Sequence, residues 1–248
     1  MYTSGTTGRP KGAVLTHDNL LVQTVSRAIH NGLPADCRTW LVATPLFHVA
    51  AFAAMLSSLF VGGQTVLVRS TAFDPAHVVD VIERERVTYC FFVPSQWQAI
   101  VDLPDIGKRD LSALRVISWG GAPASTDLLH KLIRIFPDAN VTTAFGQTEC
   151  TCVTTLLQGE DALRKIGSVG KPMLNVEVRM VDEHGDAVPP GQVGEIVYRG
   201  PSVMREYWNK PAETAEAFVG GWFHSGDLVR MDEEGYLYVV DRLKDMII

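Results

Sequence analysis

Hydrophobic and polar positions follow two different patterns along the chain, and the pattern changes near residue 166. Up to about residue 150, short apolar or β-branched runs alternate with amphipathic segments of helical length, which is typical of βαβ units. The predicted strands are Ala13–Leu15, Trp40–Thr44, Thr65–Val68, Tyr89–Phe92, Leu114–Ser118 and Asn140–Thr143. The predicted helices are Asp18–Asn31, Val49–Phe60, Pro75–Arg86, Ser95–Asp102 and Ser125–Phe136. Asp74 and Ser125 provide N-cap side chains, and Pro137 ends the last of these helices.

The second part of the chain has the alternation of half-exposed strands. Two strands are predicted at Val176–Val181 and Glu195–Arg199, and the turn clusters DEHGD and PPGQVG lie between them. Further strands are predicted at Trp222–His224, Leu228–Met231 and Tyr236–Val240, with one helix at Ala212–Phe218. The predicted fold class is therefore α/β, with βαβ-type layered sheets and flanking helices over residues 1–165. An antiparallel β subdomain is predicted over residues 166–240, and residues 241–248 are predicted to form a separate segment after it.

Composition and charge narrow the range of functions. A chain of 248 residues that is 46% hydrophobic and 20% charged is ordinary for a globular protein with a full core. A net charge of −6 with scattered lysines and arginines argues against nucleic acid as a partner. No signal peptide or membrane-spanning run is visible, although peripheral membrane contact stays open. The four cysteines are too few for a disulfide scaffold, so we expect a reducing, cytoplasmic compartment.

Both ends of the sequence look cut. Phosphate-binding loops usually follow a buried strand, and only Met1 and Tyr2 precede the first predicted nucleotide contact of the loop described next. The last residues, DRLKDMII, form an apolar run with no turn after it. We therefore expect the chain to be the middle of a longer protein.

The loop YTSGTTGRPKG has the composition of a polyphosphate-binding segment. Glycines let backbone N–H groups approach oxyanions, hydroxyl side chains donate hydrogen bonds, and a lysine supplies positive charge. Pro10 stands where a Walker A loop would need glycine, so the loop is of another type. The plain alternative is a solvated linker. The residues predicted to contact the nucleotide are Thr3, Ser4, Gly5, Thr6, Thr7, Gly8 and Lys11.

Two further motifs follow predicted strands, where ligands gather in α/β sheets. In FGQTE, Phe145 offers a ring to stack on a base, Thr148 a hydroxyl for phosphate, and Glu149 a carboxylate for Mg²⁺. The paired glycines of GGAP, Gly120 and Gly121, let a flat ring lie against the backbone. Either motif alone is also compatible with a simple turn.

The remaining candidates are weaker when each is taken alone. His48 of PLFH begins an apolar helix, either as an ordinary satisfied histidine or as the wall of an acyl pocket with Phe52. Asp227 of WFHSGDL and Arg242 of DRLKD can together hold a ribose diol, or they form surface ion pairs. The patterns G-x-S-x-G, H-E-x-x-H and G-x-G-x-x-G are absent, so the corresponding hydrolase, metalloprotease and dinucleotide sites have no candidate.

Taken together and in this order, the motifs resemble the adenylate-forming superfamily over essentially the whole chain. This superfamily groups acyl-CoA synthetases, firefly luciferase and the adenylation domains of peptide synthetases. The resemblance includes GEIVYRGPSVMREYW, WFHSGDL and DRLKDMII in addition to the four motifs above. It implies the large domain of such an enzyme, truncated at both ends, with ATP or AMP, Mg²⁺ and coenzyme A as its ligands.

The resemblance also implies a role for each matching residue. A carboxylic acid would attack ATP to give acyl-AMP, and coenzyme A would then take the acyl group. The loop hydroxyls and Lys11 would hold the β- and γ-phosphates, and Glu149 would hold Mg²⁺. Residues 241–248 would form the hinge to a C-terminal domain, with Lys244 at the hinge position. The other implied contacts are Gly121, Ala122, Pro123, Phe145, Gly146 and Gln147 around the adenine, Thr148 at the phosphate, Asp227 and Arg242 at the ribose, and His48, Phe52, Trp119 and Gly120 at the acyl group.

Two departures and two rival interpretations accompany the resemblance. Phe145 replaces the tyrosine usual in the family, which keeps the ring but loses a hydroxyl. The C-terminal domain with the adenylation lysine is missing, so we expect this chain alone to be nearly inactive.

WFHSGDL and DRLKDMII look most like medium- and long-chain fatty acyl-CoA synthetases, with Phe52 gating the acyl tunnel. The rivals are an adenylation domain that loads a carrier protein and a non-catalytic nucleotide-binding relic.

Overall fold

A computed structural model describes residues 1–3, 9–30, 37–69 and 72–243. The strands are β1 Tyr2–Thr3, β2 Lys11–Gly12, β3 Thr39–Val42, β4 Gln64–Leu67, β5 Tyr89–Phe92, β6 Val116–Gly120, β7 Asn140–Phe145, β8 Thr155–Leu157, β9 Lys171–Pro172, β10 Glu177–Val181, β11 Val193–Arg199, β12 Phe218–Val219, β13 Trp222–Met231 and β14 Leu237–Arg242. The α-helices are α1 His17–His30, α2 Val49–Phe60, α3 Pro75–Arg84, α4 Pro94–Val101, α5 Thr126–Ile135 and α6 Pro211–Ala217. Short 3₁₀ helices lie at Ile106–Lys108, Thr148–Cys150 and Gly159–Asp161.

The chain divides into two compact units. The first unit contains Met1–Ser26, Phe145–Leu156 and the described residues from Gly167 onward, and the second contains Arg27–Ala144 and Leu157–Ile166. This grouping differs from the sequence-based division at residue 165, because the amino-terminal segment and the FGQTE motif belong with the later β-rich part. Among the described helices, none is both long and apolar enough to span a bilayer.

The second unit is built on five parallel strands in the order β4-β3-β5-β6-β7. Four helices, α2 to α5, connect successive strands, which is the βαβ arrangement that the sequence predicts. Successive strand residues point to opposite faces of the sheet. Tyr89 therefore contributes to a core cluster with α2, whereas Cys90 joins the larger cluster with α3, α4 and α5. The continuous apolar sequence of β5, YCFF, follows from burial on both of its faces.

Side-chain caps explain where two of these helices begin. Asp74 Oδ1 accepts hydrogen bonds from the backbone N–H groups of Ala76 at 3.0 Å and His77 at 3.2 Å, and Pro75 occupies the first helical position. The Ser125 hydroxyl accepts from the Leu128 N–H at 3.2 Å. Both predicted caps are confirmed.

The strand order reverses direction next to β3. The chain runs from β3 out to β4 at the edge and then returns across β3 to β5. In open α/β sheets, ligands bind outside the carboxyl ends of the strands at such a switch point. Residues that follow β3, including His48, are therefore at the position where this architecture places a ligand.

The first unit is predominantly antiparallel. Its largest sheet has the order β10-β11-β13-β12, and β14 also pairs with β13. The hairpin β1–β2 pairs Thr3 with Lys11, and β8 pairs with β9. The predicted fold class, α/β with an antiparallel β subdomain, is confirmed.

Individual boundaries show where the sequence pattern was insufficient. Val49–Phe60 and Tyr89–Phe92 have their predicted bounds, but the two strands predicted at Trp222–His224 and Leu228–Met231 are one strand, β13. Irregular registers within β13 accommodate the Ser-Gly-Asp sequence that suggested a break. The short strands β8 and β9 were not predicted, since two or three residues carry no detectable period.

Candidate functional site

The FGQTE motif lies in the first unit and places its carboxylate inside the protein. Phe145 is the last residue of β7, and the 3₁₀ helix Thr148–Cys150 follows it directly. A Cβ atom on Gly146 would collide with the Cys152 carbonyl oxygen, so this turn requires glycine. The Nε2 atom of Gln147 is buried and has no hydrogen-bond partner among the described residues.

Glu149 is a buried carboxylate with little compensation for its charge. The residue is 6% exposed, and its Oε1 atom accepts a hydrogen bond of 2.8 Å from the Tyr207 hydroxyl. Burial raises the pKa of Tyr207 well above its usual range, so this hydroxyl keeps its proton and donates. No cationic side chain of the described residues forms an ion pair with Glu149.

Lys11 contacts the same tyrosine, Tyr207, that donates a hydrogen bond to Glu149. It lies in β2 opposite Thr3 of β1, and its Nζ atom is 4.2 Å from the centre of the Tyr207 ring. An ammonium group at this distance over a tyrosine face is held by a cation–π interaction. The structure therefore brings together two residues that the sequence predicted for one nucleotide site, Lys11 and Glu149, through a third residue that it did not predict.

Asp227 and Arg242 face each other across two paired strands. They are register partners in β13 and β14, and Arg242 Nε lies 3.0 Å from Asp227 Oδ1. Burial raises the pKa of Asp227 above its usual range, Arg242 lowers it, and the negative charges of Glu149 and Glu195 raise it again. The predicted juxtaposition of carboxylate and guanidinium is present as an ion pair, in which Asp227 is buried and the Arg242 side chain is exposed.

Glu195 connects the residues on both sides of this turn. Its Oε1 atom accepts from the Gly226 N–H at 2.8 Å, and its Oε2 atom lies 2.7 Å from His224 Nδ1. The Ser225 hydroxyl donates to the Ile196 carbonyl at 2.5 Å and accepts from the Asp227 N–H at 3.0 Å. These bonds fix the backbone that presents Asp227.

The residues present fit a magnesium ion that is shared with a nucleotide. No group of three or more histidine, cysteine, aspartate or glutamate side chains in the described part of the chain is arranged to hold a metal. Mg²⁺ is usually bound by one or two carboxylates together with substrate phosphates and water. The buried Glu149, which lacks a cationic partner within the described ranges, provides one such carboxylate.

The GGAP motif lies in the second unit, at the carboxyl end of β6. A Cβ atom on Gly120 would collide with the Ala144 carbonyl oxygen of β7, so packing alone requires this glycine. Trp119 is 3% exposed in the larger core cluster, and packing likewise explains it without a ligand. Gly121, Ala122 and Pro123 are exposed, and Gly121 has a φ of +79°. The predicted adenine contacts are thus accessible, whereas the acyl contacts of Trp119 and Gly120 stay predictions.

His48 and Phe52 lie at the beginning of α2. His48 is exposed and caps this helix, because its Nδ1 atom accepts from the Ala50 N–H at 3.2 Å. Phe52 is half-buried one turn later. The structure accounts for His48 as the N-cap of α2, in the connection that follows β3, and the acyl-pocket roles of both residues stay predictions.

Several predicted site residues lie outside the described residues: Ser4, Gly5, Thr6, Thr7, Gly8 and Lys244. Thr148 is half-buried in its 3₁₀ helix. Sequence reasoning missed Tyr207 and Glu195. Both occur in the motif GEIVYRGPSVMREYW. The resemblance includes this motif as a whole and implies no role for either residue.

Comparison with known proteins identifies the class of protein that this fold and site define. Residues 1–208 match the AMP-binding enzyme family, and the chain belongs to that family. The resemblance inferred from the sequence is confirmed.

Several of the similar proteins have names that describe coenzyme A ligases or synthetases. The chain is 46% identical over its whole length to half of a feruloyl-CoA synthase from Amycolatopsis sp. It is 39% identical, again over its whole length, to 43% of the medium/long-chain-fatty-acid–CoA ligase FadD8 from Mycobacterium tuberculosis. The structure of the Bacillus subtilis O-succinylbenzoate coenzyme A synthetase MenE, in complex with ATP and magnesium, matches the whole chain with a TM-score of 0.91 and 35% identity. The chain spans about half the length of these relatives.

Proposed function

We propose that the protein is an AMP-forming acid–CoA ligase. In the first half-reaction, a carboxylate oxygen of the acid forms a bond to the α-phosphorus of ATP, and the bond to pyrophosphate breaks. In the second, the thiol sulfur of coenzyme A forms a bond to the acyl carbon, AMP leaves, and the thiol proton is released. The observation that carries the proposal is the buried Glu149 carboxylate beside Tyr207 and Lys11 in a family member whose named relatives are CoA ligases.

The described residues divide the tasks between them. Lys11 supplies positive charge for the β- and γ-phosphates. The Thr148 hydroxyl donates a hydrogen bond to a phosphate oxygen. Glu149 holds Mg²⁺, which when bound neutralises phosphate charge. Asp227 and Arg242 bind the ribose hydroxyls, while Phe145 contacts the adenine.

We propose two candidate classes for the acid substrate. The residues of the motifs WFHSGDL and DRLKDMII favour a medium- or long-chain fatty acid as the substrate. The similarity to FadD8 supports this choice. A hydroxycinnamic acid is the second candidate, because the feruloyl-CoA synthase relative has the higher identity, 46% against 39%. The four free cysteines fit the reducing cytoplasm that we propose as the location.

ATP–pyrophosphate exchange by the full-length protein tests the first half-reaction. A panel from acetate to palmitate, with ferulate and benzoate, is offered with MgATP, and the CoA ester is then sought by mass spectrometry. We expect exchange with at least one acid, and a CoA ester of the same acid. Phe52→Ala is expected to shift the preferred chain length if a fatty acid is the substrate, and an unchanged profile would argue against Phe52 as a gate.

A matched pair of lysine variants tests the site itself. Lys11→Ala is expected to lower the exchange rate by about 100-fold or more, because it removes a positive charge that stabilises the leaving pyrophosphate. Lys171→Ala is the control, since Lys171 also lies over a tyrosine ring, that of Tyr236 at 4.4 Å, but outside every site motif.

Three results would overturn the proposal in different ways. Exchange without a CoA ester would favour a carrier-protein adenylation domain. Nucleotide binding without exchange for any acid would favour a non-catalytic relic. An exchange rate unchanged in Lys11→Ala would remove the phosphate-binding role of that loop.

A further inference from the structure

One short segment, Met204–Trp208, contacts both of the elements that carry the predicted phosphate and metal residues. The Met204 N–H donates to the Glu149 carbonyl at 2.6 Å, which ties the segment to the 3₁₀ helix. The Trp208 N–H donates to the Gly12 carbonyl at 2.7 Å, next to Lys11 in β2. The Val14 N–H donates back to the Glu206 carbonyl at 2.9 Å. We call this segment the anchor segment.

Tyr207 is the residue of the anchor segment whose side chain meets both site residues. It is 4% exposed, its hydroxyl donates to Glu149 Oε1 at 2.8 Å, and its ring lies 4.2 Å below the Lys11 ammonium. The hydroxyl and the ring therefore act on different partners. One substitution can remove the first contact and keep the second.

The two contacts have different physical consequences. A hydrogen bond in a buried site orients a carboxylate and leaves its second oxygen with its accepting capacity. Partners that orient metal-binding side chains in this way typically account for 10- to 100-fold in metal affinity. The cation–π contact limits where the ammonium group of a long, flexible lysine can lie.

We propose that Tyr207 is a positioning residue for a metal–nucleoside triphosphate: its hydroxyl sets the Glu149 carboxylate and its ring sets the Lys11 ammonium. The inference rests on the proposed function, in which Glu149 holds Mg²⁺ and Lys11 meets phosphate. It adds a residue that links the two.

Binding measurements on the full-length protein test this without turnover. Mn²⁺ replaces Mg²⁺, and the free Mn²⁺ signal in electron paramagnetic resonance reports metal binding in the presence of a non-hydrolysable ATP analogue. Calorimetry with the same analogue in EDTA reports nucleotide binding without metal. Wild type is expected to bind the metal and the nucleotide together.

Tyr207→Phe and Tyr207→Leu separate the two contacts. Tyr207→Phe is expected to weaken Mn²⁺ binding at least tenfold, while nucleotide binding in EDTA stays at the wild-type level because the ring is kept. Tyr207→Leu is expected to weaken both. Tyr207→Met gives the same comparison if Tyr207→Leu does not fold.

Tyr198→Phe is the matched control. Tyr198 is a buried tyrosine of the same unit, and its hydroxyl accepts a 3.2 Å hydrogen bond from Thr154 rather than contacting Glu149 or Lys11. It is expected to leave both affinities unchanged. In a background of Glu149→Gln, Tyr207→Phe should cost nothing further in Mn²⁺ affinity, because its effect passes through that carboxylate.

The outcomes separate this inference from the proposed function. Wild-type Mn²⁺ affinity in Tyr207→Phe, or tighter binding, would overturn the role of the hydroxyl while the proposed function stands. Unchanged nucleotide affinity in EDTA for the Tyr207→Leu and Tyr207→Met proteins would overturn the role of the ring. Absence of metal–nucleotide binding in the wild type would overturn the proposed function and this inference together.

Discussion

Asp227 is a buried carboxylate that pairs with the guanidinium of Arg242 and lies in the field of two further carboxylates. Its hydrogen bond to Arg242 Nε is 3.0 Å long, and Glu149 and Glu195 both act on it electrostatically. Desolvation is the largest cause of its raised pKa, and the ion pair with Arg242 offsets only part of it. A site that gathers acidic groups in this way favours the approach of a cation.

The replacement Asp227→Asn tests this balance through the pH dependence of stability. The pKa of Asp227 in the folded protein lies above its ordinary value of 3.8, so the folded state binds more protons than the unfolded state in the interval between these two values. The contribution of Asp227 to the free energy of unfolding should therefore fall as the pH rises through that interval.

Asparagine does not titrate, so it lacks this contribution. The difference in stability, wild type minus Asp227→Asn, should decrease with pH across the interval and become constant above it. Urea denaturation of both proteins at pH values from 3 to 8 measures this difference. A difference that increases with pH would contradict the raised pKa.

At the scale of elements, the approach of two neighbouring strands restricts which residue can end β6. Gly120 pairs with Ala144 of β7, and the Ala144 carbonyl lies where a Cβ atom on Gly120 would be. The strand end is therefore fixed by backbone packing before any ligand is considered. This explains the first glycine of GGAP, while the second glycine provides the positive φ of the turn.

The substitution Gly120→Ala is expected to lower the free energy of unfolding by about 1–3 kcal/mol, because the added methyl group forces two strands apart. Chemical denaturation measures the change. Gly107→Ala is the control, since no atom lies within 4 Å of a Cβ added there. That control is expected to be neutral or slightly stabilising, and an equal loss in both variants would contradict the packing explanation.

At the scale of the whole molecule, the charge balance bears on its partners. The net charge is −6, and lysines and arginines are scattered along the chain. Proteins that bind nucleic acid gain affinity from concentrated positive charge, which this chain lacks.

We therefore expect no association with duplex DNA or structured RNA at 150 mM salt. Fluorescence anisotropy of labelled oligonucleotides measures this, and lowering the salt concentration to 50 mM should not produce binding. Saturable binding that weakens as salt is added would contradict the expectation, because that dependence is the signature of phosphate contacts.

Much of the fold could be predicted because it follows from local patterns. The apolar runs of α2 and β5 gave their bounds, and Asp74 and Ser125 marked helix starts through their side-chain chemistry. Strands β8 and β9 could not be predicted, since their two or three residues acquire strand geometry only from the partners with which they pair. The grouping of residues 1–26 with the later β-rich part was likewise invisible, because it depends on contacts distant in sequence.

For the site, the sequence by itself determined the chemical groups and their family. Lys11, Glu149, Asp227 and Arg242 were identified from residue type and motif order, since charge and hydrogen-bonding capacity are properties of the residue alone. Only the tertiary structure decided how these groups are buried and paired. Tyr207 lies 58 positions from Glu149, and its hydroxyl meets that carboxylate only because the backbone of residues 204–208 bonds to both β2 and the 3₁₀ helix. Burial and long-range pairing depend on the whole fold, so no local pattern in the sequence records them.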